Sequence, residues 1–173
     1  MNETIEALAT RRSCRAFSDR QVEDEKLTQI LETGRYAPCG RGGQPVHFVV
    51  IQDAAVRERL SHMNAEIMGT GIDPFYGAPT IVAVLVDDVP TGVEDGSLAL
   101  GNMMNAAHAL GVDSIWIHRA YEEFSSEEGR ALLAEWGLPA DGSLRGVGHC
   151  ALGYAAKPLA EAAARKDNVV YVR

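Results

Sequence analysis

The sequence predicts an α+β domain in which helices and strands alternate along 173 residues. Three observations carry that expectation. Residues 46–51 and 80–86 are compact runs at strand length, apolar but for His47 and Thr80. Around them, apolar residues recur every three or four positions, the period of a helix with one inward face. Residues 97–111 then make a run of helical length with no charged side chain.

The elements follow in order. A first helix is expected over residues 2–10, with Ile5, Leu8 and Ala9 on one face. A second covers residues 23–36, where Leu27, Ile30 and Leu31 form an apolar stripe. It stops at Ala37-Pro38, because proline disfavours helical geometry in the residue before it. The strand at residues 46–51 leads to Asp53, a helix cap, and a helix to Met68 that carries Val56, Leu60, Met63 and Ile67 inward. A Gly- and Pro-containing loop precedes the strand at 80–86, which reads as buried on both faces. A helix with no charged face is expected to be buried on nearly every side, and in a chain this size that suggests a subunit interface. A short strand at 114–117 comes next. Then follows a helix opened by Ser125-Ser126-Glu127-Glu128, a capping-box pattern. A strand at 147–153 and an alternating edge strand at 169–172 complete the set. No repeat or low-complexity linker interrupts it, so one domain over residues 1–173 is expected.

Bulk properties narrow the function. The chain is 46% apolar and 23% charged, which suits a globular fold. No apolar run reaches the ~18–20 residues of a membrane span. Its amino terminus lacks the basic-then-apolar layout of a secretory signal, so a cytoplasmic location is expected. Three cysteines with no Cys-x-x-Cys pair argue against a disulfide framework or a zinc site. The net charge of −8 argues against nucleic acid, since the one basic cluster is too short to track a duplex.

That cluster is the sharpest feature. Arg11-Arg12-Ser13-Cys14-Arg15 places three guanidinium groups and a hydroxyl within five residues at a helix exit. Converging on one point they would hold a phosphate monoester. A solvated basic turn favoured by the helix dipole accounts for them equally well. Pro38-Cys39-Gly40-Arg41-Gly42-Gly43-Gln44 runs straight into a strand, and could bring backbone close to a ligand or simply connect two elements. Asn102 and Asn105 must find partners if buried, and helix packing suffices for that. Trp116-Ile117-His118-Arg119 stands at the carboxyl end of a strand, where α/β sheets commonly bind ligands. Arg165-Lys166 is a second basic pair near the tail. No G-x-G-x-x-G, Walker A loop, G-x-S-x-G or H-E-x-x-H is present.

Taken in this order, the features resemble the nitroreductase-like flavoprotein family. The resemblance rests on Arg-Arg-Ser-x-Arg-x-Phe from Arg11 and on Ala-Pro-x-Gly-x-x-x-Gln-Pro-x-His-Phe from Ala37. It rests also on Asp73-Pro74-Phe75-Tyr76-Gly77-Ala78-Pro79, the Asn-Met helix ending in Ala-Leu-Gly, and Ala151-Leu152-Gly153-Tyr154. It implies a nitroreductase-like α+β fold, with a central mixed sheet flanked by helices, in an intertwined homodimer with two FMN sites. By resemblance, Arg11, Arg12, Ser13 and Arg15 hold the ribityl phosphate, with Arg165 and Lys166 as a second clamp. Pro38, Cys39, Gly40 and Gln44 match a segment that reaches in from the partner subunit. Trp116, Ile117, His118 and Arg119 match the wall along the isoalloxazine, with a backbone N–H near residue 119 aimed at flavin N5.

The activity implied is ping-pong hydride transfer from NADH or NADPH, through FMN, to a small acceptor such as a nitroaromatic or a quinone. No side-chain acid or base is required. Cys39 replaces the family's usual Ser, Gly42 its usual Asn, and the loop at residues 69–74 lacks the Asn and Lys of some members. The first two bear on the polar contacts made from the partner chain. The chain is also short, with little room for the extra helices that cover the active site in larger relatives, which implies a more open flavin face with altered substrate choice. Two alternatives remain: another FMN enzyme on this scaffold, a reductive dehalogenase or ring-desaturating oxidase, and a non-enzymatic nucleotide-binding module.

Overall fold

The computed structural model describes residues 2–173. Four strands, β1 (Val46–Ile51), β2 (Thr80–Asp87), β3 (Asp113–Ile117) and β4 (Leu144–Gly153), form one sheet in the order β1-β2-β4-β3. All three pairings are antiparallel, and the parallel contribution is an isolated bridge between Ser13 and Ser114. The two central strands are apolar on both faces because each face is covered. Ile81, Ala83 and Leu85 enter one core layer, and Val82, Val84 and Val86 enter the other.

Six helices accompany the sheet, and all but the first supply those layers: α1 (Glu3–Thr10), α2 (Asp24–Arg35), α3 (Ala54–Met68), α4 (Gly92–Ala109), α5 (Ala120–Ser125) and α6 (Glu127–Glu135). Leu60 and Met63 of α3, Phe124 of α5, and Leu132 and Leu133 of α6 fill the first layer. Leu27 and Ile30 of α2, with Leu100 and Met103 of α4, fill the second. Each such side chain contributes about 1.5–3 kcal/mol by leaving water. Caps fix two of the starts: Asn2 accepts from Ile5 N–H and Asp53 from Val56 N–H, each at 2.9 Å.

Several expectations change. Helix α4 begins at Gly92, carries Glu94 and Asp95 in its first turn, and is buried on one side only. Its buried positions, from Gly92 through Asp95, Ala99, Leu100 and Met103 to Ala107, follow helical spacing, while Leu98 is 47% exposed. Small neutral residues make the outer face uncharged without burying it within the chain. Helix α1 buries nothing, and its Ile5 and Leu8 are about half exposed, at 51% and 54%. Ile67 also points outward, and Asn64 takes the inward place on α3.

The capping box shifts by one residue and loses its glutamate. Ser126 caps α6 by accepting from Gly129 N–H at 2.9 Å, and a Cβ at Gly129 would sit 1.9 Å from the Glu123 carbonyl oxygen. That close approach follows from α5, a short helix the sequence did not reveal. Residues 169–172 form no strand: the alternation is there, but no ladder partner is, and Val170 and Val172 are 85% and 95% exposed. Among the described residues, no helix is long and apolar enough to cross a membrane.

Candidate functional site

The basic segment leaves α1 and is sewn onto the sheet. Cys14 N–H donates to the Ser114 carbonyl at 3.0 Å, beside the Ser13–Ser114 bridge, so the segment lies along β3. Phe17 and Ser18 continue it, their N–H groups donating to Tyr76 and Tyr154 carbonyls at 3.0 and 2.8 Å. Trp116 stands two residues along β3 from that bridge, so the structure brings these two predicted groups together.

Within the segment the arginines differ. Arg12 folds back, its Nη1 donating to the Ala9 carbonyl at 3.0 Å and the Arg11 carbonyl at 2.7 Å. It therefore satisfies the last carbonyls of α1, the role the helix dipole favours. Arg15 is exposed. Arg11 is the unusual one: its Nη1 is buried and has no hydrogen-bond partner among the described residues. Its charge is felt by the Cys150 thiol. Burial pushes that thiol up to about 12, and Arg11 opposes the shift. Cys14 is likewise raised by burial, and its thiol donates to the Ala16 carbonyl. Both thiols are inert packing groups.

Along the other part of the edge, Trp116 is half-buried, Ile117 is buried and His118 is exposed. The Trp116 indole rests on β4 only because residue 148 is glycine; a Cβ there would lie 2.6 Å from the indole nitrogen. Arg119 takes a left-handed backbone, φ +77°, and caps α5. Its guanidinium pairs with Glu122 at 2.9 Å. Burial alone would raise the Glu122 carboxyl, but its own backbone N–H and Arg119 together hold it below the usual carboxylate range.

Pro38, Cys39, Gly40 and Gln44 lie elsewhere. Gly40 N–H donates to Asp95 Oδ1 at 2.9 Å, and Thr91 Oγ1 donates to Asp95 Oδ2 at 3.0 Å. The loop is thus pinned at the start of α4, whereas Thr10 meets His108 at its end. Thirteen helical residues separate those anchors, roughly 20 Å. One chain does not bring this loop to the basic segment. Gly40 suits its place because a Cβ would fall 2.3 Å from Thr91 Oγ1. Arg165 and Lys166 are exposed and make no hydrogen bond or ion pair with either group among the described residues.

Among the buried features that escaped sequence reasoning, two hold the loops of these segments. Asp95 is 4% exposed and organises the loop; Thr91, four residues earlier, was the available signal. Asn64, fully buried, donates from Nδ2 to the His118 carbonyl at 2.8 Å, while its Oδ1 has no partner. A polar residue four positions after Leu60 on the inward face of α3 was the clue. Asn102 behaves as expected of packing, donating to the Thr33 carbonyl at 3.0 Å. Asn105 lines a groove of about 690 Å³ between α1 and α4, together with Leu8, Ala106 and His108.

Known proteins share this fold. Residues 8–154 match the profile of the nitroreductase family. An Archaeoglobus fulgidus relative, named as a candidate NADH dehydrogenase or NAD(P)H nitroreductase, is 35% identical over 121 residues, 68% of each chain. The FMN reductase [NAD(P)H] of Bacillus subtilis is 29% identical over 133 residues; the match takes in 66% of this chain and 53% of that enzyme's length. A Bacteroides fragilis nitroreductase with bound FMN superposes with a TM-score of 0.91 and 28% identity, over 100% of both chains.

Proposed function

The chain belongs to the nitroreductase family, and from that premise we propose that it is an FMN-dependent oxidoreductase working as a homodimer in the cytoplasm. Arg11 carries the reading. A buried guanidinium N–H without an acceptor costs on the order of 1–3 kcal/mol, and a phosphate oxygen placed against it removes that cost. The residues present therefore fit the cofactor's anionic end. Arg11 holds the phosphate, Ser13 and Arg15 flank it, and Arg12 shapes the turn by closing α1. Trp116, Ile117, His118 and Arg119 form the wall along the ring.

FMN held by these residues would supply the redox chemistry, hydride transfer between NADH or NADPH and a small acceptor such as a nitroaromatic or quinone. The chain's own work is to bind, orient and exclude water. Pro38, Cys39, Gly40 and Gln44 serve the pocket of a second copy, which agrees with their being pinned at the opposite end of α4 from the end that meets Thr10, roughly 20 Å along the helix. The groove between α1 and α4, with exposed Ile5 and Leu8 beside it, gives that second copy an apolar surface to cover. Arg165 and Lys166 close on the phosphate once the tail is ordered.

Purification with a visible spectrum and chromatography of the released chromophore tests this. A yellow dimer that yields FMN and bleaches with NADH or NADPH is expected. A colourless monomer unable to take up FMN would overturn the reading.

A further inference from the structure

The peptide between His118 and Arg119 is held by one buried side chain. Asn64 of α3 reaches it with Nδ2, 2.8 Å from the His118 carbonyl oxygen. Asn64 is fully buried and makes no other hydrogen bond: its Oδ1 is unpartnered among the described residues. The side chain thus has one polar task. Turning the amide over would set oxygen against oxygen, so the donor must face the carbonyl.

In a trans peptide, the C=O of one residue and the N–H of the next point in opposite directions. No cis bond occurs among the described residues. Since the His118 carbonyl points at α3, the Arg119 N–H points away from α3. That is the side of the sheet where Trp116 packs and where Arg11 lies within electrostatic reach of Cys150. The Arg119 N–H donates to no acceptor among the described residues. Its left-handed φ of +77° is a conformation a non-glycine residue keeps only when its surroundings impose it.

We propose that Asn64 is a positioning residue, which clamps the His118 carbonyl so that the Arg119 N–H is presented to the flavin ring. The proposal rests on the FMN reading above. Hydrogen bonding at the carbonyl also polarises the peptide and makes its N–H a better donor. Asn64 touches no ligand itself; it acts through one peptide plane.

Amide hydrogen exchange, resolved by residue in the FMN-loaded and flavin-free protein, tests the proposal independently of turnover. In the wild type, FMN should slow exchange of the Arg119 amide at least tenfold. In Asn64→Leu most of that protection should vanish, while the Cys14 and Ser18 amides, bonded to other carbonyls, keep theirs. Asn64→Ser, too short to reach the carbonyl and too small to overpack, gives the same reading if the leucine variant does not fold. Protection that survives in a folded variant overturns the role of Asn64 and leaves the FMN reading intact. An Arg119 amide that FMN never protects, in a wild type that binds FMN, overturns the presentation of this peptide to the ring.

Discussion

The chain carries two basic regions that differ sharply in how they are held. Residues 11–18 are tied down at nearly every step: to Ser114, to Tyr76, to Tyr154, and by the bond from Ala156 N–H to the Ala16 carbonyl at 2.9 Å. Residues 157–173 make no backbone hydrogen bond among the described residues, and Arg165 and Lys166 stand in solvent. The cations are alike, but their organisation is not. Ordering a backbone residue costs roughly 1–2 kcal/mol. A guanidinium on the tethered segment meets that cost during folding; one on the tail meets it at binding. The fixed region can define a site, and the tail can only reinforce one.

The largest effect should come from loosening the tethered side. Gly153 lies where Phe17 and Pro79 converge, and a Cβ there would fall 2.9 and 2.7 Å from their rings. Gly153→Ala should destabilise the protein by about 1–3 kcal/mol, lowering Tm by several degrees in a thermal melt. It should also weaken FMN binding, since the segment bearing Arg11 begins to move. A variant with unchanged Tm would show that this junction yields easily.

A smaller effect is expected at the tail. Replacing Arg165 and Lys166 together with Ala should weaken FMN binding about threefold to tenfold, on the order of 1 kcal/mol, with melting unchanged. Because those charges are exposed, the difference should shrink in high salt. A loss of a hundredfold would mean that the tail is as well organised as the segment it supports.

The smallest is a pH effect at the seam between the regions. Tyr154 donates to Glu23, and Arg20 pairs with the same carboxylate at 2.5 Å and stacks on the Tyr154 ring at 3.8 Å. Those two hydrogen bonds, the tyrosine's first, lower the Glu23 carboxyl to about 2 from an ordinary 4.5. A depressed carboxylate stabilises the fold above its unfolded pKa, and the contribution is lost as pH falls toward the folded value. The Tm difference between wild type and Glu23→Gln should therefore narrow from pH 5 down to about pH 2. The pair is solvent-exposed, so the effect should be slight and sensitive to salt.

Much of this is legible in the sequence. Val46–Ile51 and the Asp53 cap stand where the pattern placed them, because a compact apolar run of strand length and a carboxylate before a helix are local signals. The basic segment was legible because three arginines in five residues of an acidic chain are conspicuous. Harder to see were consequences of distant contacts. Helix α5 meets the next helix where Gly129 lies against the Glu123 carbonyl, a contact only glycine allows, and no local period announces that. Asn64 and Asp95 look like ordinary polar residues until a carbonyl and a loop N–H arrive from 54 and 55 residues away. Alternation at residues 169–172 promised a strand, but a ladder needs a neighbour, and the described residues offer none there.

Binding of FMN and of riboflavin, compared in wild type and Arg11→Ala, probes the central assignment most directly. Riboflavin has the same ring without the phosphate. Losing a buried, charge-assisted contact should cost FMN about 2–3 kcal/mol, a ~30- to 150-fold weaker Kd, and leave riboflavin nearly unchanged. Equal losses for both ligands, or no loss for either, would contradict the assignment of Arg11 to the phosphate.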